Sequence, residues 1–328
     1  MEMKTTSDIL DKFQKQGNGP IDICVMWVNP TTERWQKEYN HWHIMELLRK
    51  TQNSNNTAAF GSARYRDWDI FKYFFRGVEE NCPWVNKVFL VIEDKDQIPS
   101  WLNVNHPKLR IVYHKEFIPK EALPQFNGPA IETWYSNIPD LSENFISCDD
   151  DYFFMNPIPE DWFFENNIPQ TQIKINVIKP MAKATTNWQK MMYNDYVLLQ
   201  KITGSTNVYS KSHLPEPRKK SFEAKILKDY HDDFYKPLMY SHFRSDKGQT
   251  AWIFNDLIKA LGIANDKPVF KNSKYIGLVN TNILKTTQPI DTYDMICFND
   301  VGGDIKTIKP LVIKVLDKKF PNKSSFEL

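Results

Sequence analysis

The stretch from Glu143 to Met155, E-N-F-I-S-C-D-D-D-Y-F-F-M, constrains this chain more than any other. Phe145 to Cys148 reads as a short buried strand. Asp149, Asp150 and Asp151 follow it directly, repel one another and have poor strand propensity. Apolar residues press in on both sides, so the acids do not sit on a loose surface loop. Two arrangements offset such charge: a solvated acidic turn paired with a nearby Lys or Arg, or a divalent cation held at a strand's C-terminal end. A Mg²⁺ held this way shares its remaining positions with substrate phosphates. The apolar embedding favours the second arrangement.

Other apolar runs set the fold class. Ile21 to Val28, I-D-I-C-V-M-W-V, has the near-continuous hydrophobicity of a parallel strand covered on both faces. Val88 to Ile92, Leu109 to Tyr113 and Tyr293 to Phe298 read the same way, and Gln172 to Ile178 alternates as a half-exposed strand. Helical patterns lie between them: Glu33 to Lys50, Asp67 to Glu80, a segment from about Pro129, Trp188 to Thr203 and Gln249 to Leu261. This alternation predicts an α/β fold with a predominantly parallel, twisted sheet flanked by helices. The organisation expected is an N-terminal extension (residues 1–19, with a short helix from Ser7 to Lys15) and a single catalytic domain over 20–303. Within that domain, 51–63 reads as a flexible loop and 166–290 as an acceptor-side region of helices and loops; 304–328 reads as a basic tail.

Composition excludes several classes. A net charge of +2 gives no field to attract nucleic acid. Neither G-x-G-x-x-G nor G-x-x-x-x-G-K occurs, so any nucleotide is held without those phosphate cradles. Four cysteines spread through apolar surroundings suit reduced thiols. No secretory h-region and no bilayer-length apolar run is present, which points to a cytoplasmic protein. The lysines from Lys306 onward could rest on the inner face of an anionic membrane. With 10 Trp, 14 Tyr and 21 Phe, aromatics suffice both to fill a core and to line a sugar site.

Candidate functional residues gather at the ends of these elements. Trp27 and Asn29 close the first strand, where ligands meet α/β sheets, although Asn29 could equally cap the next helix. Arg64 and Arg66 precede a helix that carries Arg76, offering guanidinium groups to a diphosphate or to Asp67 and Asp69. Asn127 and Glu132 are polar islands in an apolar stretch. His213 is fixed between prolines beside Arg218, Lys219 and Lys220, an anion-friendly setting; His242, Arg244 and Gln249 precede a later helix. Asn299 and Asp300 end the last apolar strand as the aspartates end theirs.

These pieces, in this order, resemble the Stealth family of sugar-1-phosphate transferases. The resemblance lies in I-D-I-C-V-M-W-V-N, in a long block from Arg64 to about Pro157 that includes L-P-Q-F-N-G-P-A-I-E and I-S-C-D-D-D-Y-F-F, in S-H-L-P-E-P-R with H-F-R-S, and in I-C-F-N-D. Many members carry Asp where this chain has Asn29, and Asn-Asp-Asp where it has Asp149-Asp150-Asp151. The resemblance implies a Rossmann-like or GT-A-like sheet, a UDP-sugar donor, Mg²⁺ or Mn²⁺, and a glycan acceptor that could be lipid-linked. It implies that Asp150, Asp151 and Asp300 contact metal, that His213 is the base, and that Arg244 and Arg76 stabilise the phosphoryl group. It places Trp27, Asn29, Arg64, Asn127, Glu132, Arg218, Gln249 and Asn299 at the substrates.

Overall fold

A computed structural model describes residues 19–50, 61–171, 174–176, 181–205, 207–210, 213–266, 272–281 and 289–328. Four of the five strands of its central sheet are parallel: β1 (Ile21–Met26), β2 (Val88–Ile92), β3 (Leu109–Tyr113) and β4 (Asn144–Cys148). Their apolar runs are continuous because both faces are covered, and successive residues point to opposite sides. Ile21, Ile23, Val25, Leu90 and Ile146 enter one buried cluster. Cys24, Phe89, Val91 and Phe145 enter the other. The first cluster packs under helices α2 (Phe71–Asn81) and α8 (Ile305–Lys319). The second packs under α4 (Asn187–Thr203), α5 (Lys220–Asp229), α6 (His231–Tyr240) and α7 (Ile253–Ala260). Helices α1 (Glu33–Lys50) and α3 (Gly128–Thr133) follow the ends of β1 and of the loop after β3. All four cysteines are buried and reduced.

Beyond the aspartates the chain leaves the central sheet. Strand β5 (Tyr152–Phe154) pairs antiparallel with β8 (Met295–Asn299), which runs parallel to β7 (Ser273–Gly277). The last apolar strand expected from sequence therefore forms, but in a second, three-stranded sheet. Helix α2 holds β5 closely: a Cβ on Gly77 would lie 2.8 Å from the Phe154 carbonyl oxygen, and Asn81 Nδ2 donates to that same oxygen at 2.7 Å.

Several local expectations are corrected. Helix α2 starts at Phe71, later than Asp67, because Asp69 sits at φ 54° and its amide donates to Asp67 Oδ1 at 2.8 Å, a turn that blocks helix initiation. The segment with Glu216 to Lys219 is no loop but edge strand β6 (Glu216–Lys219), antiparallel to β4, with Pro217 tolerated at the edge. Its cations are consumed by the fold. Arg218 is wholly buried, donating to Glu223 at 2.5 and 2.9 Å. Lys219 Nζ donates to Asn144 Oδ1 at 2.5 Å, and Lys220 Nζ caps the carbonyls of Ile138, Pro139 and Leu141. Over 304–328 the chain forms α8 and buries Ile308, Val312, Leu316, Phe320 and Phe326, so this segment is built into the core. Ser62–Arg64 form one 3-10 turn. The helix expected from Ser7 to Lys15 and most of the loop expected over 51–63 lie outside the described residues, as does all but Lys174–Asn176 of the strand expected over Gln172 to Ile178.

Arg76 belongs to this framework. Its guanidinium donates to Glu327 at 2.7 Å through both Nε and Nη2, and to the Phe320 carbonyl at 2.8 Å. The two side chains are only 9% and 3% exposed. Burial alone would raise the Glu327 pKa; hydrogen bonds from Arg76 and Ser324 outweigh it and hold the carboxyl below its usual range. A lowered folded-state pKa stabilises above the unfolded value and is lost as pH falls through the folded one, so the clamp weakens only in acid. Arg76→Ala should cost about 3 kcal/mol, because it strands a buried carboxylate. Urea unfolding at pH 7 measures it, and a loss below about 0.5 kcal/mol would show the clamp to be peripheral.

Candidate active site

The C-terminal ends of β1, β4 and β8 open into one cavity of about 590 Å³. Asp149, Asp150 and Asp151 form its floor at the turn between β4 and β5. The pairing of β5 with β8 brings Asn299 and Asp300 to the same place, with Asn299 Nδ2 donating to Asp151 Oδ2 at 3.3 Å. The two acid-ended strands noted in the sequence thus meet at one site.

The three acids face different neighbours. Burial raises the pKa of Asp149, opposed by His213, a Tyr152 hydrogen bond and Arg244. Asp150 is pushed well up by burial, then by Asp151, Asp149 and Asp67. Asp151 rises to about 7, through burial first and Asp149 second. Its Oδ1 is buried with no hydrogen-bond partner among the described residues. Glu132, at the end of α3, accepts from Ser147 Oγ at 3.1 Å and is raised to about 8 by burial, then by Asp149.

The cavity also carries positive charge. Arg64 and Arg244 both line it. Burial, then Arg64, pushes the Arg244 pKa down to about 10, and burial lowers Arg64 as well. The cavity therefore carries one set of crowded carboxylates and one of crowded guanidinium groups, each disfavoured in its charged form. A cation against the first and an anion against the second would relieve both. Gln125 Nε2 and Asn127 Oδ1 are also buried on this cavity without a hydrogen-bond partner among the described residues. Native proteins leave few such atoms, and here four, counting His114 Nδ1, belong to residues that line one cavity.

Trp27 lines the cavity, stacked on Phe71 with centroids 5.7 Å apart. His213 lines it half-buried, and burial, then Arg244 against the pull of Asp149, sets its pKa below the ordinary imidazole value. Asp300 is on the rim, but Arg66 donates to both its oxygens and Trp68 Nε1 to Oδ2 at 2.9 Å. Four expected residues lie elsewhere. Asn29 closes the turn after β1, its Oδ1 accepting from the Thr31 amide at 3.0 Å. Arg76 and Arg218 are held by Glu327 and Glu223, and Gln249 lies before α7, off the cavity lining. His242 too is off the lining; its Nδ1 lies 2.6 Å from the Pro124 carbonyl oxygen.

Sequence reasoning missed Asp67, Trp188, Glu216 and Trp252, all of which line the cavity. Asp67 stands in R-Y-R-D-W-D, a visible signal once its helix is known to start later. Glu216 was hidden by two flanking prolines that mask an edge strand. Among the described residues, no group of three or more His, Cys, Asp or Glu converges as a ready-made metal cage, and no helix is long and apolar enough to cross a membrane.

A mostly parallel sheet flanked by helices, with a cavity of crowded acids and arginines at its strand ends, defines an α/β enzyme. A family profile described as "Stealth protein CR2, conserved region 2" matches residues 64–172, the span that contains Arg64, Glu132 and the aspartates. The chain is 31% identical to an exopolysaccharide phosphotransferase of Lactiplantibacillus plantarum, over 94% of this chain and 97% of that protein. It is 29% identical to a capsular polysaccharide phosphotransferase of Streptococcus pneumoniae, over 94% and 98%. It is also 29% identical to a receptor polysaccharide phosphotransferase of Streptococcus oralis, over 94% and 99%. The chain belongs to the Stealth family, and it is a transferase.

Proposed function

We propose that this enzyme moves a hexose-1-phosphate, or its N-acetylhexosamine counterpart, from a UDP-sugar to a hydroxyl of a glycan acceptor, releasing UMP. The product is a phosphodiester link in a capsular or exopolysaccharide. The observation that carries this reading is one cavity lined by crowded carboxylates, crowded arginines and His213. Polysaccharide phosphotransferases are the relatives that match over most of the chain. The strand order β3-β2-β1-β4 supports a Rossmann-like or GT-A-like sheet, in which ligands bind where the order reverses. Trp27 and Asp149 flank that reversal, at the ends of β1 and β4.

Asp150 and Asp151 fit a divalent cation: two crowded carboxylates, one with an orphaned Oδ1, suit Mg²⁺ or Mn²⁺, which needs few protein ligands when phosphates complete its shell. When bound, such an ion would neutralise diphosphate charge and the leaving UMP. Arg64 and Arg244 hold the phosphoryl oxygens, a role expected from sequence of Arg244 and Arg76. Trp27 and Asn127 lie where the donor's nucleoside and sugar would be ordered. Neutral His213 takes the proton from the acceptor hydroxyl as its oxygen bonds to the phosphorus carrying the sugar. The bond from that phosphorus to the UMP oxygen breaks, and UMP departs with the electron pair. Asp300, held by Arg66 and Trp68, fixes the rim.

Screening UDP-sugars for Mg²⁺-dependent UMP release in the presence of acceptor tests the proposal; release of UDP would replace it with ordinary glycosyl transfer. The exposed lysines of α8 would keep the enzyme beside lipid-linked acceptor at the inner membrane face. Deleting 304–328 would strip core residues, so replacing Lys306, Lys314 and Lys318 with Gln is the suitable test. Weaker sedimentation with anionic vesicles is expected, each lysine contributing about 1 kcal/mol. Unchanged sedimentation would retire the membrane contact.

A further inference from the structure

Beside the cavity mouth the edge of the second sheet carries an exposed, uncharged strip. Tyr275 on β7 is 43% exposed, and Val301, directly after Asp300, is 46% exposed. Between them lies Gly277: a Cβ there would sit 3.3 and 3.5 Å from the two Val301 methyls and 3.6 Å from Tyr275 Cε1. Tyr275 and Gly277 point to one face because they are two residues apart on a strand. Gly277 has no side chain to fill the space between the ring and the valine, so they bound a shallow shelf. The parallel register sets Gly277 against Asn299 and Tyr275 against Cys297, so the shelf begins at the cavity rim.

An aromatic row continues the shelf inward. The Tyr275 ring centroid is 5.1 Å from that of His213, and His213 is 5.8 Å from Trp252. Trp252 is 4.9 Å from Trp188, over which Arg244 Cζ lies at 5.2 Å. Trp188, His213 and Trp252 line the cavity; Tyr275 lies outside it.

We propose that the Tyr275–Gly277–Val301 shelf is a glycan subsite that binds the acceptor chain beyond the sugar that reacts. The proposal rests on the acceptor reading above and says where the rest of that acceptor lies. A polymeric acceptor whose reacting hydroxyl reaches His213 must leave the cavity along some surface, and this one is contiguous with His213. Its chemistry fits a neutral pyranose. The ring's C–H face packs on Tyr275, Gly277 admits it without a clash, and the hydroxyl edge stays in water. The neighbouring carboxylate of Asp300 is already held by Arg66 and Trp68, and the three residues of the shelf are uncharged.

The test uses the full chain and oligosaccharides of one, two and three repeats, cut by mild acid from the producing cell's own polysaccharide and treated with phosphatase, which frees the acceptor hydroxyl that the acid leaves phosphorylated. Affinity is measured by calorimetry, and transfer is followed with a UDP-sugar labelled in the phosphate attached to the sugar. The unsubstituted protein is expected to bind two repeats more tightly than one. Tyr275→Ala and Gly277→Val should remove that gain, raising the acceptor KM ~10-fold with kcat changed less than ~2-fold. Tyr275→Phe, which keeps the ring, should retain it. Equal affinity for one and two repeats, no binding of any of them, or unchanged KM in both variants would overturn the subsite. Transfer of the label by the unsubstituted protein is read separately. If label moves while the variants behave normally, the phosphotransfer reading stands and only the shelf falls.

Discussion

Asp150→Asn and Asp151→Asn should each reduce turnover by about a thousandfold, roughly 4 kcal/mol of transition-state stabilisation, with the fold intact. Asn keeps the shape and removes the charge on which a cation depends. The same crowding predicts the stability result. Burial and neighbouring acids push the carboxyl pKa of both residues up, so at neutral pH their ionised forms oppose folding. A group with a raised folded-state pKa contributes stability below its unfolded value that is lost as pH rises through the folded one. Neutral Asn escapes that loss, so thermal unfolding at pH 7 should come at the same temperature or higher. Near-normal turnover in both variants, with unchanged metal dependence, would remove these residues from the site. A large fall in Tm would show that they act in folding instead.

His213→Ala should lower kcat by about a hundredfold or more while leaving donor affinity nearly intact, because the imidazole acts on the acceptor's proton. The pH profile carries more information than the rate. Burial, then Arg244 against Asp149, holds His213 below the ordinary imidazole value, so it stays neutral further into acid than a free histidine. The acid limb of the unsubstituted enzyme's kcat profile should therefore fall below pH ~6.5, and the variant should be slow throughout and lack that limb. Loss of donor affinity, or persistence of the limb, would exclude His213 as the base. His242, the alternative by sequence, is engaged with the Pro124 carbonyl and its ring centroid lies 3.7 Å from that of Trp42, away from the cavity.

The strands were legible because their hydrophobicity is nearly continuous, interrupted only by single polar residues such as Asp22 and Arg110. Val88 to Ile92 and Leu109 to Tyr113 form with the bounds their sequence suggests, and four parallel strands follow from both faces being buried. Strand β6 was not legible, since two prolines and three cations read as a loop until Glu223, Asn144 and three main-chain carbonyls are seen to absorb those cations. The same blindness gave Arg76 a place at the phosphate. Its partner Glu327 lies 251 residues away, a pairing that periodicity and spacing cannot contain. The floor of the cavity was legible, because apolar strands ending in acids reveal where charge is delivered. The basic lining was only half so: Arg64 and Arg244 stood out, but which arginines face inward is decided by packing. The neutral setting of His213 was anticipated from basic neighbours, yet its cause is burial together with Arg244, since Arg218, Lys219 and Lys220 are engaged elsewhere.

The most direct measurement follows phosphorus. The purified enzyme, Mg²⁺, acceptor oligosaccharide and a UDP-sugar labelled with ³²P in the phosphate attached to the sugar are incubated together, and the products are separated. The account predicts that label moves into the oligosaccharide as a phosphodiester, that UMP appears in equal amount, and that both stop when the metal is chelated. Label remaining in released UDP, with an unphosphorylated glycan product, would contradict it.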